Sequence, residues 1–244
     1  MENQNPDYVY KNVIQIEDAD QSRKFIANVF LWMFVALGIS AAFACGFDNN
    51  ESLKALIQNP TTHGLTTLGL VAMISPLAFI LIISFGLNKI SYGILGLLFI
   101  AYAGVMGISF SVILSVYTSS SVLGVFLASS AVFGLMAVAG YTTKTDLTKF
   151  GSLMIMLLIG IVIASVLNIF ILHSSGLDLI ISYLGVAVFV GLTAYDVQKL
   201  KRIGAGLEYG DASFKKMSLM GGLTLYLDFV NLFLFMLRIF GNRR

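Results

Sequence analysis

Two aspartates, Asp196 and Asp228, lie inside long apolar stretches of the sequence. An ionised Asp at the centre of a bilayer costs roughly 2.5 to 3.5 kcal/mol on insertion scales, so such residues usually have a function. Two carboxyl groups a few ångströms apart in a low dielectric titrate as a coupled pair that shares a proton. When that proton leaves, the oxygens repel each other and form a hard site suited to calcium. The two residues therefore predict a cation path controlled by a proton.

The composition predicts a protein that crosses a membrane several times. Hydrophobic residues make up 57% of the 244 residues, charged residues make up 11%, and the mean hydropathy is +0.88. No formally charged residue occurs between Lys89 and Lys144. That interval is about twice the ~20 residues that one spanning helix needs. A net charge of +2 without a basic stripe gives no reason to expect a nucleic-acid partner.

Charge-poor windows predict seven spanning segments and set their orientation. Eleven Lys and Arg residues would lie on the side of the N-terminus, whereas Lys54 alone would lie in the opposite loops. Positive charge in short loops favours the cytoplasm, so we predict a cytoplasmic N-terminus. The segments are expected at about residues 25–47, 65–87, 91–114, 120–141, 150–172, 179–198 and 217–240.

Two terminal regions need separate treatment. Residues 1–24 are polar and partly acidic, unlike a signal peptide, so we predict a cytoplasmic N-terminal segment followed by a single membrane domain over residues 25–241. Arg238, Arg243 and Arg244 would break the charge rule if the last segment crossed completely. The sequence leaves open whether that segment enters and returns or crosses as the buried centre of the bundle.

Small residues predict where helices pack closely, because they allow membrane helices to approach each other. The spacing of four residues in the third segment is typical of such packing, and two small residues extend the prediction to the fourth. The residues are Ala103, Gly107, Ser111 and Ser115, followed by Ser130 and Gly134.

Other polar residues have simpler interpretations. Asp146 precedes the fifth segment and is expected to cap that helix. His63 and His173 are predicted in outer loops without a second metal ligand nearby, and the single Cys45 excludes an internal disulfide. We expect no resident cofactor.

An intramembrane aspartyl protease also needs two membrane aspartates. Tyr195-Asp196 matches one of its motifs, but the partner motif Gly-x-Gly-Asp is missing, because Glu208 replaces the first glycine before Gly210-Asp211. No Ser/His, Cys/His or metal spacing suggests another enzyme class, so we expect no catalytic activity.

Three motifs resemble the Bax inhibitor-1 family, in its bacterial YccA-like branch. Gly191-Leu192-Thr193-Ala194-Tyr195-Asp196-Val197-Gln198 ends the sixth segment, and Leu225-Tyr226-Leu227-Asp228-Phe229-Val230-Asn231-Leu232-Phe233 fills the middle of the seventh. Thr145-Asp146-Leu147-Thr148, leading into Gly151, resembles the family's signature before the fifth. The resemblance extends from about residue 25 to residue 241.

The resemblance implies an all-α membrane fold in which six helices enclose a central C-terminal helix. It also implies a calcium leak gated by protonation of Asp196 and Asp228, with calcium bound only in transit. Basic latches would correspond to Arg238 and Lys89, while Asn231 and Tyr195 are candidates to surround the pair. The predicted second segment lacks the acidic residue that some relatives carry.

A second function remains open at this point. The chain could be a non-conducting regulator that binds membrane proteins, such as a membrane-bound protease, in a stress response. The polar N-terminal residues favour such a partner, because they add nothing to a pore. The expected partners are thus the lipid bilayer, calcium ions and possible membrane proteins.

Overall fold

A computed structural model describes residues 6–59, 64–86 and 90–243. All the named elements in this part of the chain are helices, as predicted. They are α1 (Pro6–Asn49), α2 (Glu51–Ile57), α3 (Thr67–Gly86), α4 (Tyr92–Val116), α5 (Ser119–Thr142), α6 (Thr148–Leu167), α7 (Ser175–Ala205) and α8 (Ala212–Phe240). A π-helical turn, Asn168–Leu172, continues α6.

Six helices in the described part of the chain are long and apolar enough to cross a membrane: α1 from Asp20 onward, α4, α5, α6 with its π turn, α7 and α8. The predicted second segment is also helical, as the 20-residue α3. A total of seven spanning helices stays a prediction.

The outer faces of the bundle are apolar. Phe170 is 75% exposed, Leu135 is 72% exposed and Leu97 is 67% exposed. Soluble proteins rarely leave large apolar side chains uncovered over so much of their surface. These faces are suited to contact with lipid chains.

The last two helices are the most buried. In the most apolar window of each helix, 56% of α8 and 50% of α7 is buried, against at most 33% for the other spanning helices described. α8 packs extensively against α1, α4, α5 and α7. The two helices that carry the aspartates thus form the interior of the bundle, while enclosure of α8 by six helices stays a prediction.

The helices run between two ends of the bundle. At the near end, Ser22 donates a hydrogen bond to the carbonyl oxygen of Lys201, and α7 turns into α8. At the far end, the backbone N–H of Thr118 donates to the carbonyl oxygen of Asn242 at 3.0 Å. The N–H of Asn242 donates to the hydroxyl of Ser121 at 2.9 Å. α8 therefore runs from the near end to the far end of the bundle without returning. A complete crossing of the membrane by this helix stays a prediction.

The small residues of α4 pack as predicted. A Cβ at Gly107 would collide with the backbone of Ser40 in α1. The Ser40 hydroxyl donates to the carbonyl oxygen of Ala103 at 2.8 Å. The prediction for Gly134 in α5 is wrong, since nothing lies within 4 Å of a Cβ there. In α5 the close contact is instead at Gly140, against the backbone of Ala194 in α7.

Candidate functional site: a carboxyl pair between two buried helices

α7 and α8 lie side by side because short residues and rings fit together along their contact. A Cβ at Gly185 would collide with the ring of Phe235, and the Phe235 ring stacks on Phe189 with centroids 5.9 Å apart. The turn between the helices includes Gly210 at φ +94°, in the left-handed region that favours glycine. This hairpin brings the middle of α8 against the second half of α7.

The hairpin places the carboxyl groups of Asp196 and Asp228 within hydrogen-bonding reach of each other. Asp228 is only 6% exposed, and within the described residues no group donates a hydrogen bond to its buried Oδ2. Asp196 is half-buried, and the ammonium of Lys199, one turn further along α7, attracts it. The polar group that the Asp228 carboxyl meets is thus a second acid.

A buried carboxylate without a donor is costly, because its hydration is lost and nothing replaces it. One proton held between the two carboxyls removes this cost, since the protonated acid donates to the ionised one. Loss of the proton leaves two negative charges in contact. The arrangement can therefore exist in two states that differ by one proton.

Aromatic rings close the far side of the pair. Phe229, the residue after Asp228, packs edge to face against Phe126 and Phe133 of α5, with ring centroids 5.4 and 5.5 Å apart. On another face of α8, the Tyr226 hydroxyl and the Ser40 hydroxyl are hydrogen-bonded at 2.7 Å. The rings of Phe126, Phe133 and Phe229 thus form an apolar layer on the far side of Asp228.

A cavity of about 470 Å³ lies beyond this layer, between α1, α4, α5 and α8. Asp48, Asn49 and Ser119 line it at the far end, and Phe229 and Val230 line it next to the acidic pair. The cavity leads from the far end of the bundle to the residues that follow Asp228.

Polar side chains fix the near end of α7. Gln198 accepts a hydrogen bond from the N–H of Leu147 at 2.9 Å, and its amide donates to the carbonyl oxygen of Thr145 at 2.7 Å. Arg202 forms an ion pair with Asp146 at 2.9 Å. Gln198 was not among the predicted site residues, although a polar residue two positions after Asp196 on an apolar helix could have indicated it.

Asp146 binds the first residue of α6, although the N-cap position is Leu147, which has no side-chain capping hydrogen bond. Its Oδ1 accepts from the hydroxyl of Thr148 at 2.6 Å and from the N–H of Thr148 at 3.0 Å. These hydrogen bonds, followed by the one from Arg202, lower the pKa of Asp146 to about 2. Asp146 is therefore a structural anion that stays ionised at physiological pH.

The other predicted site residues lie apart from the pair. Arg238 contacts Asp178 of α7 at 3.4 Å, at the far end. Asn231 donates to the carbonyl oxygen of Leu227 in its own helix at 2.8 Å, and the Tyr195 ring packs against Gly151. Lys89 lies outside the described residues, as does His63. Of the predicted site residues that the structure describes, Asp196 and Asp228 are the two whose carboxyl groups meet, and the latch roles stay predictions.

The pair alone cannot complete a calcium site. Two carboxyl groups offer four oxygens, whereas calcium takes six to eight oxygen ligands. Within the described residues, no cluster of three or more His, Cys, Asp or Glu side chains could hold a metal ion.

Apolar helices around a carboxyl pair define a multi-pass membrane protein with a titratable site in its interior. The family model described as the inhibitor of apoptosis-promoting Bax1 matches residues 22–244. The chain belongs to the Bax inhibitor-1 family, as the motifs around the two aspartates predict, and to its bacterial branch.

Bacterial relatives match most of the chain. The inner membrane protein YbhL of Escherichia coli is 44% identical over 221 residues, which cover 90% of this chain and 92% of YbhL. An uncharacterized protein of Borreliella burgdorferi is 43% identical over 222 residues, covering 91% of this chain and 93% of that protein. An uncharacterized protein of Deinococcus radiodurans is 37% identical over 230 residues, covering 94% and 95%.

Proposed function

We propose that the chain is a calcium-permeable leak channel of the bacterial inner membrane, and that the Asp196–Asp228 pair opens it as the pH rises. One observation carries the proposal: the buried Asp228 carboxyl faces Asp196, and no described residue donates to its Oδ2. An acid in this position needs a proton or a cation. Either the proton or the cation can therefore control the state of the pair, and this is the behaviour that a pH-sensitive calcium leak requires.

In the closed state, one proton holds the two carboxyl groups together. The shared proton keeps α8 packed on α7, and the rings around Phe229 separate the pair from the far-end cavity. Calcium cannot cross this layer, because the aromatic rings cannot replace its hydration shell.

In the open state, the proton is lost and the two carboxylates repel each other. α8 moves away from α7, the contact of Phe229 with α5 loosens, and the carboxylate oxygens provide ligands for calcium. The ion path joins the far-end cavity to the half-buried Asp196 on the side of the near end. With the predicted cytoplasmic N-terminus, calcium enters the cell from the far end.

The test is calcium entry into dye-loaded proteoliposomes over a pH series. We expect wild-type flux to rise with pH and the flux of Asp228→Asn to be independent of pH, because Asn cannot lose the proton. Asp178→Asn is the matched control, since it makes the same chemical change at an exposed carboxylate on α7. Identical pH profiles for Asp228→Asn and the wild type would contradict the gate, and no flux above empty liposomes would exclude the leak.

The single cysteine allows a test of whether calcium passes through the far-end cavity. Cys45 is exposed and lines the far-end cavity. We expect a bulky, positively charged thiol reagent added at the far-end side to reduce calcium flux at least fivefold. The Cys45→Ser variant should conduct normally and should not respond to the reagent. Full flux after quantitative labelling of Cys45 would remove this cavity from the path.

The regulator remains the second candidate. One observation favours it: α1 begins at Pro6, so the polar N-terminal residues continue the first spanning helix and could present it to a partner. Deletion of residues 2–19 retains the contact of Ser22 with Lys201. A regulator should lose partner binding after this deletion, whereas a leak should keep its pH-dependent flux.

A further inference from the structure

A second cavity, of about 460 Å³, lies between α1 and α5 at the near end. Its walls are apolar and come from one face of each helix, and Val197 of α7 is part of its lining. Gly134 leaves the wall open, because a Cβ there would meet nothing within 4 Å. The wall residues are Ile26, Ala27, Phe30, Gly134, Ala137 and Val138. We call this space the α1–α5 groove.

The near end of the groove is basic. Arg23 lines it, is exposed, and has no ion pair or hydrogen bond with any residue that the structure describes. Tyr141 also lines it, and the ammonium of Lys201 lies 4.6 Å from the centre of the Tyr141 ring and donates to its carbonyl oxygen. The groove therefore joins an apolar slot at the depth of a spanning helix to two cationic side chains at its end.

Lys24, the cation next to Arg23 in sequence, is paired with an acidic residue. Lys24 pairs with Asp20 at 2.7 Å, and its ammonium lies 5.4 Å from the centre of the Tyr209 ring. The acidic residue nearest in sequence to Arg23 is thus already neutralised by Lys24. The positive charge at the groove comes from Arg23 and Lys201.

We propose that the α1–α5 groove binds an anionic phospholipid, with one acyl chain between the two helices and the phosphate between Arg23 and Lys201. An apolar slot facing a bilayer accepts the acyl chain of any lipid, so the walls alone give no selectivity. Two cations that have no acidic partner among the described side chains favour a headgroup with net negative charge, as in basic pockets between membrane helices. Arg23 adds bidentate hydrogen bonds to phosphate.

The test counts retained lipids by native mass spectrometry. The full chain is extracted from vesicles that contain equal amounts of phosphatidylglycerol and phosphatidylcholine. We expect the wild type to retain phosphatidylglycerol in preference, and Arg23→Gln to reduce that preference at least fivefold. Lys24→Gln is the matched control, because it removes the same charge one residue away from the groove lining. Equal loss in both variants would show a general surface attraction and overturn the proposal.

A second pair of variants tests the acyl chain separately. Gly134→Leu fills the groove from an open position and should remove the retained lipid while the basic end stays intact. Gly160→Leu changes another open position, on α6, and should retain lipid as the wild type does. If Gly134→Leu still retains the lipid, the acyl chain lies outside the α1–α5 groove and the proposal is wrong. Displacement of the bound lipid by millimolar inorganic phosphate would show that an anion site alone explains the binding, and would also overturn the proposal.

Discussion

α7 and α8 are joined by two acidic contacts of opposite kinds. In the interior, Asp228 is 6% exposed and faces a second carboxyl group. At the far end, Asp178 faces Arg238 at 3.4 Å, and both side chains are nearly half exposed. Asp178 also lies in the first turn of α7 and Arg238 in the last turn of α8, where the helix dipoles favour their charges. The exposed contact joins opposite charges, whereas the buried contact joins two acids, so ionisation favours the first contact and opposes the second.

The largest expected effect comes from displacing α7 beside the buried pair. Gly140→Ala places a methyl group against the backbone of Ala194, two residues before Asp196. Because both sides of this contact are backbone, α5 and α7 must separate, at a cost of about 1 to 3 kcal/mol. We expect the thermal midpoint in detergent to fall on the order of 5 °C.

The control for this substitution lies near the exposed contact. Gly176→Ala, two residues before Asp178, meets only the Ser174 hydroxyl at 3.9 Å. We expect a change within about 0.5 kcal/mol. Equal destabilisation by both alanines would mean that helix propensity, rather than the α5–α7 contact, determines the result.

The next largest effect is expected when one carboxyl group is replaced in the buried contact and, for comparison, one in the exposed contact. Asp228→Asn removes the like-charge repulsion, so its thermal midpoint should fall less than that of the wild type as the pH rises from 6 to 9. At pH 9 we expect the variant to be more stable by on the order of 5 °C. Asp178→Asn should follow the wild-type curve. Parallel curves for Asp228→Asn and the wild type would mean that the buried pair does not ionise in this range.

A smaller effect is expected from the exposed contact itself. Arg238→Gln breaks the pair with Asp178, and exposed ion pairs contribute at most about 1 kcal/mol. The midpoint should fall slightly at low salt, and the difference should shrink in high salt. We expect calcium flux to keep its pH dependence. Loss of that dependence would instead support the latch role predicted for Arg238.

The smallest effect is expected at Asp146. Its pKa of about 2 lies below the ordinary Asp value of about 3.9, so its contribution to stability is present above pH 4 and is lost as the pH falls toward 2. The difference in thermal midpoint between the wild type and Asp146→Asn should be constant from pH 5 to pH 9. A difference that changes between pH 6 and pH 8 would show that the Asp146 carboxylate also takes part in the pH response.

The sequence predicts the helices better than their ends and contacts. The sixth segment was expected at residues 179–198, but α7 extends over Ser175–Ala205. Charges at Lys199, Lys201 and Arg202 end the apolar window, yet they do not end the helix, because long basic side chains can extend out of it. Gly107 and Gly134 look alike in sequence, and only the first meets a neighbouring backbone, since packing depends on how the helices are arranged.

The acidic pair was predictable because a carboxyl group in an apolar stretch is costly wherever it occurs. The role of Gln198 was not, since its partners Thr145 and Leu147 are more than fifty residues away. The family resemblance assigned Arg238 to the pair, but its contact is Asp178 on the adjacent helix. Residue type predicts the cost of a charge, and only the tertiary structure gives its partner.

The most direct measurement follows the proton and the flux in the same sample. Infrared difference spectroscopy of proteoliposomes detects the protonated carboxyl band during a pH titration, while a trapped dye reports calcium entry. We predict that the wild type loses one such band over the interval in which flux rises, and that Asp228→Asn shows neither change. A flux that rises while the band persists would contradict the claim that the proton on the Asp196–Asp228 pair controls the leak.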